Sequence, residues 1–238
     1  GGAGNVAKNI KAFGAKTTII SMVGDDEKGK SIYRLLSENA IDTNEILTEK
    51  NRITTVKTRI LCNGKQITRF DQEETDYILP ELESVVLEKF QRIVNSSIVD
   101  LIIFVDYDKG FITPRLVKSI IGIAKTKGIR TAADPKIRNF SHYRQIDLFT
   151  PNLYEFSEGL HKKFDKNVLT DLKIAASKFK TENQIGTLLI TLSELGVLIT
   201  DHETKKHFLA QPRTISDVSG AGDTVISLAG LSLATGLS

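Results

Sequence analysis

The chain has 238 residues, 40% of them hydrophobic and 26% charged, with Gly (17) and Pro (5) at ordinary levels. That length and balance suit one sizeable globular domain with room for a small appendage, and they exclude a disordered or fibrous chain. The 32 basic residues are mixed along the whole length with 29 acidic ones, for a net charge of +3, so no electrostatic footprint for nucleic acid is present.

Cys62 is the sole cysteine, which excludes an intrachain disulfide and a cysteine-based metal site and fits a reducing, cytoplasmic setting. No run of eighteen apolar residues occurs, so no membrane span is expected. The chain opens on Gly1 inside a glycine motif and stops at Ser238 just past an apolar segment. We therefore expect a single domain over residues 1–238, truncated at both ends.

Taken in chain order, Gly2, Gly4 and Asn5 open a helix that Gly14 follows, and a strand over residues 17–23 ends at Gly24. Residues 54–72 carry two β-branched runs flanking Asn63-Gly64, a dipeptide suited to a type I′ turn, and read as an inserted β-hairpin that is a lid over a site, a dimer surface or a plain surface hairpin. Leu82, Val85, Val86, Phe90 and Ile93 form one helical stripe, and a strand follows over 99–105. The next helix has both ends specified, with Thr113 as N-cap, Pro114 at the first position and Gly128 just past the end.

Strands over 129–132 and 148–150 come next, then a helix burying Leu172, Ala175, Ala176 and Phe179 whose lysines (173–180) read as a solvated face. A strand over 187–192 and a mostly buried helix over 224–233 close the chain. Short β-branched runs alternating with amphipathic helices predict an α/β fold with a largely parallel sheet covered on both faces.

The chemistry concentrates in residues 217–223 (DVSGAGD). Gly220, Ala221 and Gly222 let the backbone approach a ligand closely, and free amides at a helix start make a site for an anion or for charge developing in a transition state. Asp223, in the first helical turn, is placed to take a proton from an attacking hydroxyl while those amides hold a phosphoryl group. Alone, the segment reads equally as a tight turn with a helix-stabilising acid. Asp134 and Lys136 flank Pro135 at the carboxyl end of a strand, where ligands of such folds collect, and Lys136 is expected to face a phosphate. His142, His161, His202 and His207 show no metal-ligand spacing.

Together, the opening GGAGN with its later Gly14 and Gly24 and the closing DVSGAGD resemble the paired signatures of the PfkB, or ribokinase-like, carbohydrate kinase family. The resemblance covers essentially the whole chain. It extends to Asn152-x-x-Glu155 and Thr191-x-Ser193-x-x-Gly196, with Ser193 and Val218 standing where relatives commonly have Gly and Thr. Segments Asp106-Tyr107-x-Lys109-Gly110, Asp134-Pro135-Lys136 and Arg69-x-Asp71-x-Glu73 are similar to one branch, the heptose 7-phosphate kinases of lipopolysaccharide precursor synthesis, often fused to an adenylyltransferase domain.

The resemblance implies a three-layer α/β/α fold with a central mostly parallel sheet, ATP as co-substrate, Mg²⁺, a small sugar phosphate as substrate and a homodimer formed through the hairpin lid. It makes Asp223 the general base and Gly220, Ala221 and Gly222 the anion hole. Asn152, Leu153, Tyr154 and Glu155 would line the triphosphate, with Glu155 holding Mg²⁺ through water, and Lys136, Thr191, Ser193 and Gly196 would lie on the nucleotide side. Gly2, Asn5 and Asp106 would contact the sugar. Arg59, Arg69 and Lys109 would hold a phosphate already on it.

Overall fold

The computed structural model describes residues 2–62, 65–165, 168–201, 204–211 and 220–237. Helices α1 (Gly2–Ala12), α2 (Glu27–Glu38), α3 (Pro80–Ser96), α4 (Pro114–Lys127), α5 (Leu153–Gly159), α6 (Leu169–Glu182) and α7 (Ala221–Thr235) surround the strands. These are β1 (Ser21–Gly24), β2 (Ile46–Glu49), β3 (Val56–Cys62), β4 (Lys65–Gln72), β5 (Leu101–Val105), β6 (Arg130–Asp134), β7 (Leu148–Phe149), β8 (Thr187–Thr191), β9 (Val197–Thr200) and β10 (Lys205–Phe208).

The main sheet has the order β10-β9-β8-β7-β6-β5. Strands β5 to β8 pair in parallel, and β9 and β10 extend that sheet antiparallel. Side chains alternate across it with period two. Ile102, Phe104, Ala133, Phe149, Leu188 and Ile190 enter the core under α3 to α6. Leu101, Ile103, Ala132, Leu148 and Leu189 face the other layer, beneath α1 and α7. Covering both faces explains why these strands read as continuous apolar runs.

Local signals act where expected. The Thr113 side chain accepts from the Leu116 amide, Pro114 occupies the first turn, and Gly128 closes α4 at φ 67°, a left-handed geometry that glycine adopts without steric penalty. Two features depart from the pattern. The strand expected over 17–23 is shorter, and β1 pairs in parallel with β2 as a separate two-stranded piece rather than joining the main sheet. Lys180, expected on a solvated face, is buried, while Lys178 of the same helix is exposed.

Strands β3 and β4 form the antiparallel ribbon expected from the sequence, and its Asn63-Gly64 turn lies outside the described residues. Ile60, Leu61, Ile67 and Phe70 on the ribbon are exposed.

Candidate active site

Helices α1 and α7 pack together on one face of the sheet and so bring the two ends of the chain to one place. Gly220, at φ 82°, is the residue before α7, and a Cβ there would lie 2.9 Å from the Asn5 amide nitrogen. The first intrahelical bond of α7 runs from the Thr224 amide to the Gly220 carbonyl. The amides of Ala221, Gly222 and Asp223 precede it, so α7 supplies them with no acceptor of its own. The preceding part of the predicted loop, Asp217, Val218 and Ser219, lies outside the described residues.

Asp223 is only 5% exposed. Its Oδ2 accepts from the Asn5 side-chain amide at 2.7 Å and its Oδ1 from the Tyr107 hydroxyl at 2.9 Å. Tyr107 stands two residues past the end of β5 and is not among the expected site residues. The available signal was its position at the carboxyl end of a parallel strand, inside the Asp106-Tyr107-x-Lys109-Gly110 segment. Gly2 abuts the same ring, for a Cβ on it would fall 1.9 Å from a ring carbon. In this structure the ring that needs a glycine at position 2 is therefore the Tyr107 phenol.

Asp134 ends β6 beside this centre. Burial pushes its carboxyl up to about 7, with the repulsion of Glu155, Asp223 and Asp106 adding to the effect and Lys136 opposing it. Burial by itself would lower Lys136, but Asp134 and a hydrogen bond to Glu155 outweigh it and hold the ammonium above the ordinary lysine range. The Lys136 ammonium bonds to Glu155 Oε1.

Asn152 and Glu155 form a reciprocal capping box at the start of α5. The Asn152 side chain accepts from the Glu155 amide at 2.8 Å, and Glu155 Oε2 accepts from the Asn152 amide at 2.9 Å. Glu155 is thus fixed by three elements: its own helix cap, Lys136, and the wholly buried Phe156 beneath it, which packs edge-on against Phe179. Leu153 packs at the edge of the core, whereas Tyr154 is exposed. Thr191 bridges to Asn152 at the end of β8, and the turn after it carries Ser193 at φ 54° and Gly196 at φ 91°. The expected nucleotide-side residues thus converge at the ends of β6, β7 and β8.

The expected substrate-side residues are more scattered. Asp106 is buried and accepts from Asn139, Tyr143 and the Asp108 amide, so protein donors already occupy both its oxygens. Arg59 and Arg69 stand directly opposite each other across the ribbon, and Arg69 also pairs with Asp71 at 2.9 Å. Lys109 pairs with Glu73 at 2.8 Å, and Lys57 bridges Glu73 and Asp71. Those cations hold the Glu73 carboxyl below its ordinary range, Lys109 contributing first.

Two arginines that carried no motif clamp the segment joining the ribbon to the body. Arg52 bonds to the carbonyls of Glu74, Asp76 and Lys109. Arg138 bonds to that of Thr75 and stacks 3.5 Å from the Tyr77 ring centre. Neither arginine belongs to an α-helix or strand, and Arg138 lies in a short 3-10 helix (Ile137–His142), so no periodic signal marks them.

A family model described as pfkB family carbohydrate kinase matches residues 1–238. The chain belongs to the PfkB family. Among its family relatives, the bifunctional protein HldE of Campylobacter fetus subsp. fetus (strain 82-40) is 38% identical over 238 residues, all of this chain and 50% of that protein. HldE of Helicobacter pylori (strain P12) is 36% identical over 233 residues, 98% of this chain and 50% of that protein. The chain spans about half the length of the curated relatives it matches. The tetrameric inhibited form of Escherichia coli phosphofructokinase-2 superposes with a TM-score of 0.82 at 21% identity, covering 100% of this chain and 77% of that one. The PfkB fold of this chain is therefore the ribokinase-like one, a mostly parallel central sheet with helices on both sides.

Proposed function

We propose that this chain is an ATP-dependent sugar-phosphate kinase that phosphorylates the anomeric hydroxyl of a heptose 7-phosphate, in the route to an ADP-heptose precursor of lipopolysaccharide. The observation that carries the reading is the buried Asp223 carboxylate beside the first amides of α7, for which the helix itself has no acceptor. The choice of sugar rests on the motifs shared with the heptose kinase branch and on the similarity to HldE proteins.

In this reading Asp223 accepts the proton of the attacking hydroxyl. The hydroxyl oxygen bonds to the γ-phosphorus, the bond from that phosphorus to the bridging oxygen breaks, and ADP leaves. The amides of Gly220, Ala221 and Gly222, with the positive end of the α7 dipole, stabilise charge on the transferring group. Lys136 is a fixed cation for the triphosphate side, and Asn152, Thr191 and Gly196 shape its wall.

The residues present fit a magnesium ion. Asp134 and Glu155 put two carboxylates near each other, and their repulsion helps push Asp134 up to about 7. Among the described residues no group of three or more His, Cys, Asp or Glu is arranged as a protein-only metal site. Asp134 and Glu155 would hold such an ion through its waters, with Glu155 Oε1 shared with the Lys136 ammonium and Oε2 with the Asn152 amide. When bound, the ion neutralises charge on the phosphate oxygens.

On the sugar side, opposed like charges across a ribbon repel, so Arg59 and Arg69 gain from an anion between them, which supports their role toward the substrate phosphate. The exposed Ile60, Leu61, Ile67 and Phe70 support a second copy of the ribbon as the partner of the lid.

An ADP-release screen over free sugars and sugar phosphates tests this function. We expect strong preference for a seven-carbon sugar carrying a 7-phosphate, and equal turnover of ribose, fructose phosphate or a nucleoside would overturn the substrate assignment.

A further inference from the structure

Among the described residues each oxygen of the Asp223 carboxylate has one donor, and the two come from opposite ends of the site. Asn5 reaches Oδ2 from α1, and Tyr107 reaches Oδ1 from the loop after β5. An ionised carboxylate has about four acceptor positions, so two fixed donors set its plane and still leave room for an incoming hydroxyl. Tyr107 is 37% exposed, which is not the burial of a core aromatic, yet its hydroxyl is directed at a carboxylate that is 5% exposed.

The ring is itself held. Gly2 lies against one edge with no room for a methyl group, and the Lys136 ammonium stands 5.7 Å from its centroid. Burial, and then the bond to Asp223, raise the phenol well above the ordinary tyrosine range. The hydroxyl therefore keeps its proton at neutral pH and donates throughout.

We propose that Tyr107 is a positioning residue for the phosphoryl-transfer step, its hydroxyl fixing the Asp223 carboxylate so that one oxygen faces the substrate hydroxyl, with Gly2 present to let the phenol lie there. This rests on Asp223 being the base. The role is transmitted through Asp223, so loss of the hydroxyl lowers kcat and leaves substrate binding nearly untouched. A tyrosine that merely filled space, or that occupied the substrate's place, gives a different result in each case.

The test is a cycle of Tyr107→Phe and Asp223→Asn, with kcat, KM and the thermal midpoint measured for each. Phenylalanine keeps the ring and its contact with Gly2. We expect Tyr107→Phe to lower kcat about tenfold, as loss of one orienting hydrogen bond does, with KM changed less than about twofold and the midpoint nearly unchanged. Asp223→Asn alone is expected to lose nearly all turnover, and Tyr107→Phe is expected to reduce the residual rate of that variant no further. Full turnover by Asp223→Asn overturns the base assignment. An inactive Asp223→Asn beside a Tyr107→Phe with parental or raised kcat, or with its loss confined to KM, overturns the positioning role alone. A lowered kcat that persists in full on the Asp223→Asn background does so as well.

Discussion

The side-chain amide of Asn5 donates to Oδ2 of Asp223 across 2.7 Å, joining the first helix to the last over 218 positions of chain. Neutrality of the donor matters, because a second carboxylate at that distance would repel the first. We expect Asn5→Ala to lower kcat about tenfold and Asn5→Asp to lower it further and also depress the thermal midpoint. Steady-state kinetics and melting of the two variants check this, and equal effects of Ala and Asp would count against the contact.

Lys136 and Glu155 form a largely buried ion pair, with side-chain exposures of 29% and 5%. Removing the ammonium leaves a buried carboxylate whose other partner among the described residues is its cap amide. Lys136→Met should therefore destabilise the fold by about 2 kcal/mol, a value reduced from that of a fully buried pair because the lysine is partly exposed. Glu155→Gln should cost less, since the amide oxygen still caps α5. Urea titration of both single variants and the double variant should give a favourable coupling of about 1 kcal/mol or more between them.

The Asp134 carboxyl sits at about 7 in the fold, raised from 3.8. A raised acid binds more protons folded than unfolded, so its burial lowers stability progressively as pH rises from about 4 to about 7. We expect Asp134→Asn to be more stable than the parent at pH 8, by on the order of a few kcal/mol, with the difference shrinking toward pH 4. Thermal melts across that range in the absence of nucleotide check the sign. A constant difference at every pH would contradict it.

Gly196, at φ 91°, turns the chain between β8 and β9, and a Cβ on it would lie 2.0 Å from the Phe208 carbonyl oxygen. Both the dihedral and the backbone contact exclude a side chain. Gly196→Ala should destabilise by about 3 kcal/mol and weaken nucleotide affinity, since it displaces β10 from β9. Denaturation and ADP titration measure the two effects separately.

Features written in short-range patterns were legible in the amino-acid string. The ends of α4 follow from Thr113, Pro114 and Gly128, whose capping and φ preferences act within a turn. The buried strands follow from continuous apolar runs, and the β3–β4 ribbon from two β-branched stretches around a turn dipeptide. Family membership was legible as well, because its glycine motifs are contiguous.

Partner choice across the fold was not legible. Nothing around residue 2 announces that Tyr107 will lie on it, or that Lys180 will be the buried lysine of a helix with several exposed polar positions. Asn152 and Glu155 were read from a motif as nucleotide contacts, and only the fold shows that they also cap α5 and anchor Lys136. By itself, then, the sequence determined the α/β architecture, both ends of α4 and the residue types at the site, because periodicity and capping are local. The tertiary structure decided which donors meet Asp223 and which cation meets Glu155, because side chains far apart in sequence become neighbours only when the sheet is assembled and covered.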